Sequence, residues 1–126
     1  MPLAHAPVLS PTMPRVLGPY SQVVRAGDFL FVSGQAGLDP ATGSPAGDTF
    51  EQQARQAFTN LATVLEAAGS SLAGVVKTTI FCADATAFAA LNELYAEFFP
   101  ADPPARSVPI VQLPRGLLVS IECIAV

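Results

Sequence analysis

The chain of 126 residues and 13.0 kDa is long enough for one domain with its own core and too short for two. Ten acidic side chains against six basic ones give a net charge of −4 without any cluster of Lys or Arg, so we do not expect a nucleic-acid partner. Hydrophobic residues make up 51% of the chain and charged residues only 13%, which is more apolar surface than one small globule readily buries. Every apolar run is interrupted before the roughly 18 residues that a membrane span needs, so we expect the excess to be buried between subunits.

Residues 1–17 predict an extended N-terminal arm in front of a single domain over residues 18–126. Prolines recur through the arm, and it lacks the cationic start and continuous apolar core of a signal peptide, so we predict a cytoplasmic protein. Cys82 and Cys123 fall in apolar runs without metal-type spacing, which is typical of small buried side chains rather than of a disulfide.

Residue patterns predict strands in four places. Two runs over 22–35, joined by a Gly-containing turn, predict a β-hairpin. The β-branched run over 74–84 predicts a central strand. Two further strands are predicted over 105–113 and 117–126, with Pro, Arg and Gly at 114–116 marking the turn between them.

Two stretches carry the three- and four-residue apolar spacing of a helix. The first runs over 50–68, where Asp48 and Glu51 predict a capped start and Gly69 predicts the end. The second lies within 86–100 and is ended by a proline.

The predicted element order is therefore β, β, α, β, α, β, β, which is an α+β fold. Two helices can cover only one face of a sheet of this size, yet its strands are apolar on both faces. We therefore expect the uncovered face to meet the same face of other subunits.

Several kinds of catalytic site are excluded by residue type. A metal centre needs a cluster of ligands, and a Ser-His-Asp triad needs a histidine base, but the one histidine of the chain is His5 in the arm. No phosphate-binding glycine motif of either common type occurs. We therefore expect neither a metal nor a nucleotide cofactor.

Two isolated charges stand out in apolar surroundings. Arg106 opens a predicted strand, and Glu122 alternates onto the strand face opposite to the one that carries Val119, Ile121, Cys123 and Ala125. Each could be an ordinary solvated side chain. If the two lie on neighbouring strands, they could form an ion pair, or they could flank a small acid whose carboxylate binds the guanidinium.

Three uncharged segments add candidates. Tyr20 follows a rigid Gly-Pro turn and could wall a pocket or cap the core edge. Ser33 and Gly34 end a strand where a glycine allows close approach of a ligand or another backbone. Asn92, on the otherwise apolar side of the second helix, is interpreted as a hydrogen bond to a neighbouring element.

Taken together, these residues resemble the Rid family, whose members are also called YjgF-type proteins or endoribonuclease L-PSP. The resemblance runs from Gly18 to the C-terminus and is carried by the motifs "GPYSQ" (18–22), "FVSGQ" (31–35), "NLATVLEAAGSSLAGVVKTTIF" (60–81), "LNELYAEFF" (91–99), "PARS" (104–107), "LPRG" (113–116) and "IECIAV" (121–126).

The resemblance implies a chorismate-mutase-like subunit in a homotrimeric barrel, with a ligand cleft at each subunit interface. It also implies hydrolytic deamination of reactive 2-enamine or 2-imino acids, such as 2-aminoacrylate, to 2-keto acids and ammonia, without a cofactor. In the positions that match the family motifs, Arg106 is implied to bind the substrate carboxylate and Glu122 to orient the attacking water. Tyr20, Ser33 and Gly34 are implied to line the cleft.

One departure from the family pattern concerns the pocket beside Arg106. Many relatives have a cysteine two residues after this arginine, where this chain has Val108 followed by Pro109, and the segment up to "LPRG" is one residue shorter. We expect Val108 to contact the substrate. A carboxylate-binding trimer without turnover and an endoribonuclease are the alternatives, and the acidic balance opposes the second.

Overall fold

The computed structural model describes residues 4–126, in which two helices pack on one face of a mixed sheet of six strands. The sheet order is β1-β2-β3-β6-β4-β5, and all neighbours are antiparallel except β4 and β5. The elements are β1 (Ala6–Pro7), β2 (Val23–Ala26), β3 (Phe29–Ala36), α1 (Phe50–Ala67), β4 (Val75–Cys82), α2 (Phe88–Phe98), β5 (Ala105–Ser107) and β6 (Val119–Ala125).

The core lies between the helices and the covered face of the sheet. Strand β6 is central, and its alternate residues from Val119 to Ala125 are buried while Glu122 is exposed, which confirms the predicted alternation. Helix α1 contributes Phe58, Leu61 and Leu65, each fully buried. The α+β fold with both helices on one face is therefore confirmed.

The opposite face of the sheet carries large apolar side chains without a covering layer. Phe31 of β3 is 45% exposed, and its cross-strand neighbours on this face are Val24 of β2 and Ile124 of β6. Exposed apolar surface of this kind usually marks an interaction site, and it lies on the face that the sequence predicted to be uncovered by the helices.

The predicted cap of the first helix is wrong by one residue. Thr49, not Asp48, is the N-cap, and its side-chain oxygen accepts a hydrogen bond from the Gln52 backbone N–H at 3.2 Å. The Gln52 side chain in turn accepts from the Thr49 backbone N–H at 3.2 Å, so Gln52 takes the place given to Glu51. A threonine in extended conformation serves here as well as an aspartate would.

Two strand predictions also need correction. Part of the N-terminal arm joins the sheet, because Ala6 and Pro7 pair with β2 as an edge strand. The strand predicted over 105–113 is regular only at 105–107, since Pro109 has no N–H to donate; beyond it, one bridge at Ile110 continues the contact with β4.

We expect Thr49→Ala to lower the free energy of unfolding by about 1 kcal/mol, because it removes the oxygen that caps α1. Asp48→Ala, one residue earlier, should change it by less than about 0.5 kcal/mol. Urea denaturation at one protein concentration measures both values. A larger loss for the Asp48 variant would contradict this assignment of the cap.

Candidate active site

A β-bulge brings three of the predicted site residues together. In the pairing of β3 with β6, Val32 lies opposite Cys123 and Gln35 lies opposite Ile121, so Ser33 and Gly34 together face the single residue Glu122. Bulges of this type re-aim side chains and are frequent beside active sites. The glutamate and the serine-glycine pair thus form one local arrangement on the uncovered face.

The bulge has no room for a larger residue at position 34. A Cβ atom added to Gly34 would lie 2.8 Å from the Ser120 Oγ of the next strand. The neighbouring Ser33 hydroxyl donates to the Ser21 carbonyl at 2.7 Å. Because that hydrogen is engaged, Ser33 can offer a ligand an acceptor oxygen but is not set up as a nucleophile.

A groove of about 350 Å³ runs along this face. Its polar lining consists of Ser33, Lys77, Thr79 and Glu122, and Phe31 and Ile124 are among its apolar lining. The Lys77 ammonium donates to the Ser107 hydroxyl at 3.0 Å, which holds it toward β5. The groove therefore combines an exposed carboxylate, an ammonium group and apolar walls.

Arg106 lies on the other face of the sheet. It is paired in register with Thr78, whose side chain is fully buried under the helices. Its Nη1 donates to Asn92 Oδ1 at 2.9 Å, and its Cζ lies 4.9 Å from the centre of the Tyr95 ring. A hydrogen bond and a cation–π contact from α2 thus orient an exposed guanidinium.

The Tyr95 side chain is itself held in place by a residue of β4. Its hydroxyl shares a 2.8 Å hydrogen bond with the Thr78 hydroxyl, and burial raises the pKa of the phenol. Asn92 was predicted to bond a neighbouring element, and it does, but the sequence did not indicate that the neighbour is Arg106. The three-residue spacing of Asn92 and Tyr95 places both side chains on one helix face, and this spacing could have indicated that they share a neighbour.

Arg106 and Glu122 do not occupy neighbouring strands of one subunit, which was the condition for an ion pair between them. Strand β4 lies between β5 and β6, and Glu122 is in register with Thr79 whereas Arg106 is in register with Thr78. Since successive strand residues point to opposite faces, the two charges lie on opposite sides of one subunit's sheet.

Tyr20 occupies a third position, in the segment that joins the arm to β2. Its hydroxyl accepts a hydrogen bond from the Leu17 backbone N–H at 3.4 Å, and its exposed ring lines a second groove of about 300 Å³ beside the arm. Its other polar lining residues are Ser10, Ser21 and Gln22.

A family model described as Endoribonuclease L-PSP matches residues 11–126. The chain belongs to this family, which is also the Rid family.

Curated relatives and solved structures are similar to this chain over almost its whole length. A RutC family protein of Pyrococcus horikoshii is 43% identical over 94% of both chains. A 2-iminobutanoate/2-iminopropanoate deaminase of Mus musculus is 43% identical over 90% of this chain and 84% of its own. The structure of a Rid family protein of unknown function from Yersinia pestis superimposes with a TM-score of 0.90 at 38% identity, covering 97% of this chain and 98% of the other.

In this Rid-family chain, Val108 is half-buried and packs against the core, and it does not line either of the two grooves described above. Cys123 is not suited to act as a nucleophile, because burial, aided by the nearby Glu122, raises the pKa of its thiol to about 12.

Two further kinds of feature are absent from residues 4–126. No three His, Cys, Asp or Glu side chains cluster as a metal site would require. Over the same range no helix is long and apolar enough to cross a membrane.

We expect Gly34→Ala to lower the free energy of unfolding by about 1–3 kcal/mol, because the new methyl group collides with Ser120 Oγ. Adding Ser120→Ala to the same chain should recover most of that loss. Gly18→Ala is the matched control, since its Cβ would meet Tyr20 at an ordinary 3.5 Å. Urea unfolding that finds the double variant no more stable than Gly34→Ala would refute this steric explanation.

Proposed function

We propose that this Rid-family protein hydrolyses 2-enamine and 2-imino acids to 2-keto acids and ammonia. The observation that carries the proposal is the guanidinium of Arg106, exposed and oriented by Asn92 and Tyr95 without a carboxylate partner among the described residues. The parallel N–H donors of a guanidinium suit a small carboxylate. The name of the mouse relative, a 2-iminobutanoate/2-iminopropanoate deaminase, indicates the rest of the substrate.

Arg106 anchors the substrate in this proposal. Its Nη1 is engaged with Asn92, and the remaining N–H groups of the guanidinium are the donors for a bidentate bond to the substrate carboxylate. Because the arginine side chain is already oriented by α2, little of its freedom remains to be lost on binding.

Glu122 activates water. An imino carbon is already electrophilic, so the reaction needs a positioned water and a proton acceptor rather than a covalent nucleophile. The glutamate takes one proton from the water as the oxygen bonds to carbon, and it returns that proton to the nitrogen. This gives a carbinolamine. Its C–N bond breaks as the hydroxyl proton passes through Glu122 to the nitrogen, so the nitrogen leaves as ammonia and the oxygen remains as the carbonyl of the 2-keto acid.

The two groups meet at a subunit interface in a homotrimer. Within one subunit the sheet separates Arg106 from Glu122. The face that carries Glu122 also carries the exposed Phe31 and the half-buried Ile124. An interface that buries this face and brings the β5 edge of one subunit to the groove of the next supplies both groups to one cleft. Tyr20 and the Ser33–Gly34 bulge form its walls.

We expect Arg106→Ala to lower kcat/KM for a 2-imino acid by about 100-fold, since it removes charge-assisted hydrogen bonds to the carboxylate. Glu122→Gln should lower kcat by about 100-fold or more, because it removes the proton acceptor. The assay follows keto acid formation from imines generated by an amino-acid oxidase, with semicarbazide as competing trap.

The matched controls are Arg55→Ala and Glu66→Gln, which change exposed side chains of α1 on the helical layer. Both should keep the wild-type rate. A rate no faster than spontaneous hydrolysis in the wild type would refute the deaminase proposal, and tight carboxylate binding without turnover would then favour a binding protein.

Mixing the two inactive variants tests the shared cleft. Arg106→Ala and Glu122→Gln subunits, unfolded together and refolded at equal amounts, should recover about a quarter of wild-type activity if each cleft takes one group from each of two subunits. Refolded single variants are the controls. No recovery, with mixed trimers verified by mass spectrometry, would place both groups in one subunit.

A further inference from the structure

Two buried glutamines link the walls of the proposed cleft. Gln22, just before β2, is 9% exposed, and Gln35, in β3 directly after the bulge, is 7% exposed. A buried amide is costly unless its hydrogen-bonding groups are satisfied. The partners of these two amides therefore indicate what the side chains hold in place.

Gln35 holds the bulge. Its Nε2 donates to the Ser33 backbone carbonyl at 3.0 Å and to Gln22 Oε1 at 2.9 Å, which uses both hydrogens of the amide. A bulge interrupts the regular ladder of backbone hydrogen bonds. The side chain of Gln35 thus provides a donor at the point where the strand departs from regular pairing, opposite Glu122.

Gln22 extends the same chain of hydrogen bonds to the arm. Its Nε2 lies 3.4 Å from the Pro14 carbonyl and 3.3 Å from the Arg15 carbonyl, in the segment that leads to Tyr20. Its backbone carbonyl accepts from the Ser33 N–H at 2.9 Å. One connected network therefore contacts the Tyr20 segment on one side and the bulge on the other.

We propose that Gln22 and Gln35 act as one positioning unit, which sets the Tyr20 segment and the Ser33–Gly34 bulge at a fixed separation. The catalytic consequence of this inference rests on the proposed deaminase function. Neither glutamine is assigned contact with the reacting atoms. Their effect is to position the walls of the proposed cleft and to keep the bulge aligned with Glu122. A small displacement of the attacking water beside Glu122 would lower the rate of hydrolysis.

Methionine variants test the unit because methionine matches glutamine in length and cannot hydrogen-bond through an amide. We expect Gln22→Met and Gln35→Met each to lower kcat by about tenfold, with a smaller change in KM because Arg106 lies on the other face of the sheet. The double variant should be no slower than the worse single variant, since both substitutions break one network.

Gln53→Met is the matched control. Gln53 is also buried, at 2% exposure. Its amide contacts the Gly47 and Gly116 carbonyls and the Leu118 N–H, none of which belongs to the bulge or to the Tyr20 segment. It should lose stability comparably while keeping kcat. An equal kcat loss in this control, or additive losses in the double variant, would overturn the positioning unit.

Hydrogen exchange supplies a readout that does not depend on turnover. In Gln35→Met, amides in both 14–21 and 33–36 should exchange about tenfold faster, because freeing one end of the network releases the other. Faster exchange confined to 33–36 would overturn the inference. If the wild type hydrolyses no imine, the deaminase proposal fails, and coupled exchange of both segments would still support the unit while uncoupled exchange would refute it.

Discussion

The structure depends on the burial of one face of β6 beneath two helices. Hydrophobic side chains at alternate positions commit Val119, Ile121 and Cys123 to the core, and the same alternation forces Glu122 onto the opposite face. A slip of one residue would bury the carboxylate and expose the core set. The packing of this strand therefore determines on which face of the sheet the Glu122 carboxylate lies.

The same sheet separates the two charged side chains of the candidate site. Arg106 is held on the helical side by Asn92 and Tyr95, and Glu122 lies on the uncovered side beside the bulge. A single subunit thus displays the two charges on separate faces. In the proposed homotrimer, assembly through the uncovered apolar face joins the two charges in one cleft, and the proposal therefore gives this surface a role in both oligomerisation and catalysis.

Much of the fold was predictable because its signals are local. The hairpin, both helices and the alternation of β6 follow from spacings of two, three and four residues, and all were confirmed. The helix cap was misassigned because Asp48 and Thr49 are both good capping residues and only the backbone conformation distinguishes them. The edge strand in the arm was missed because two residues carry no periodicity.

The main helices and strands, the family and most of the candidate residues could be read from the sequence alone, since motifs and periodicity are properties of neighbouring positions. Three features became clear from the folded chain alone. Strand β4 separates Arg106 from Glu122, Asn92 and Tyr95 orient the arginine, and Ser33 and Gly34 share one partner across the bulge. Strand order and register are set by pairing between distant segments, and each one-residue change in register moves a side chain to the other face. No local pattern contains that information.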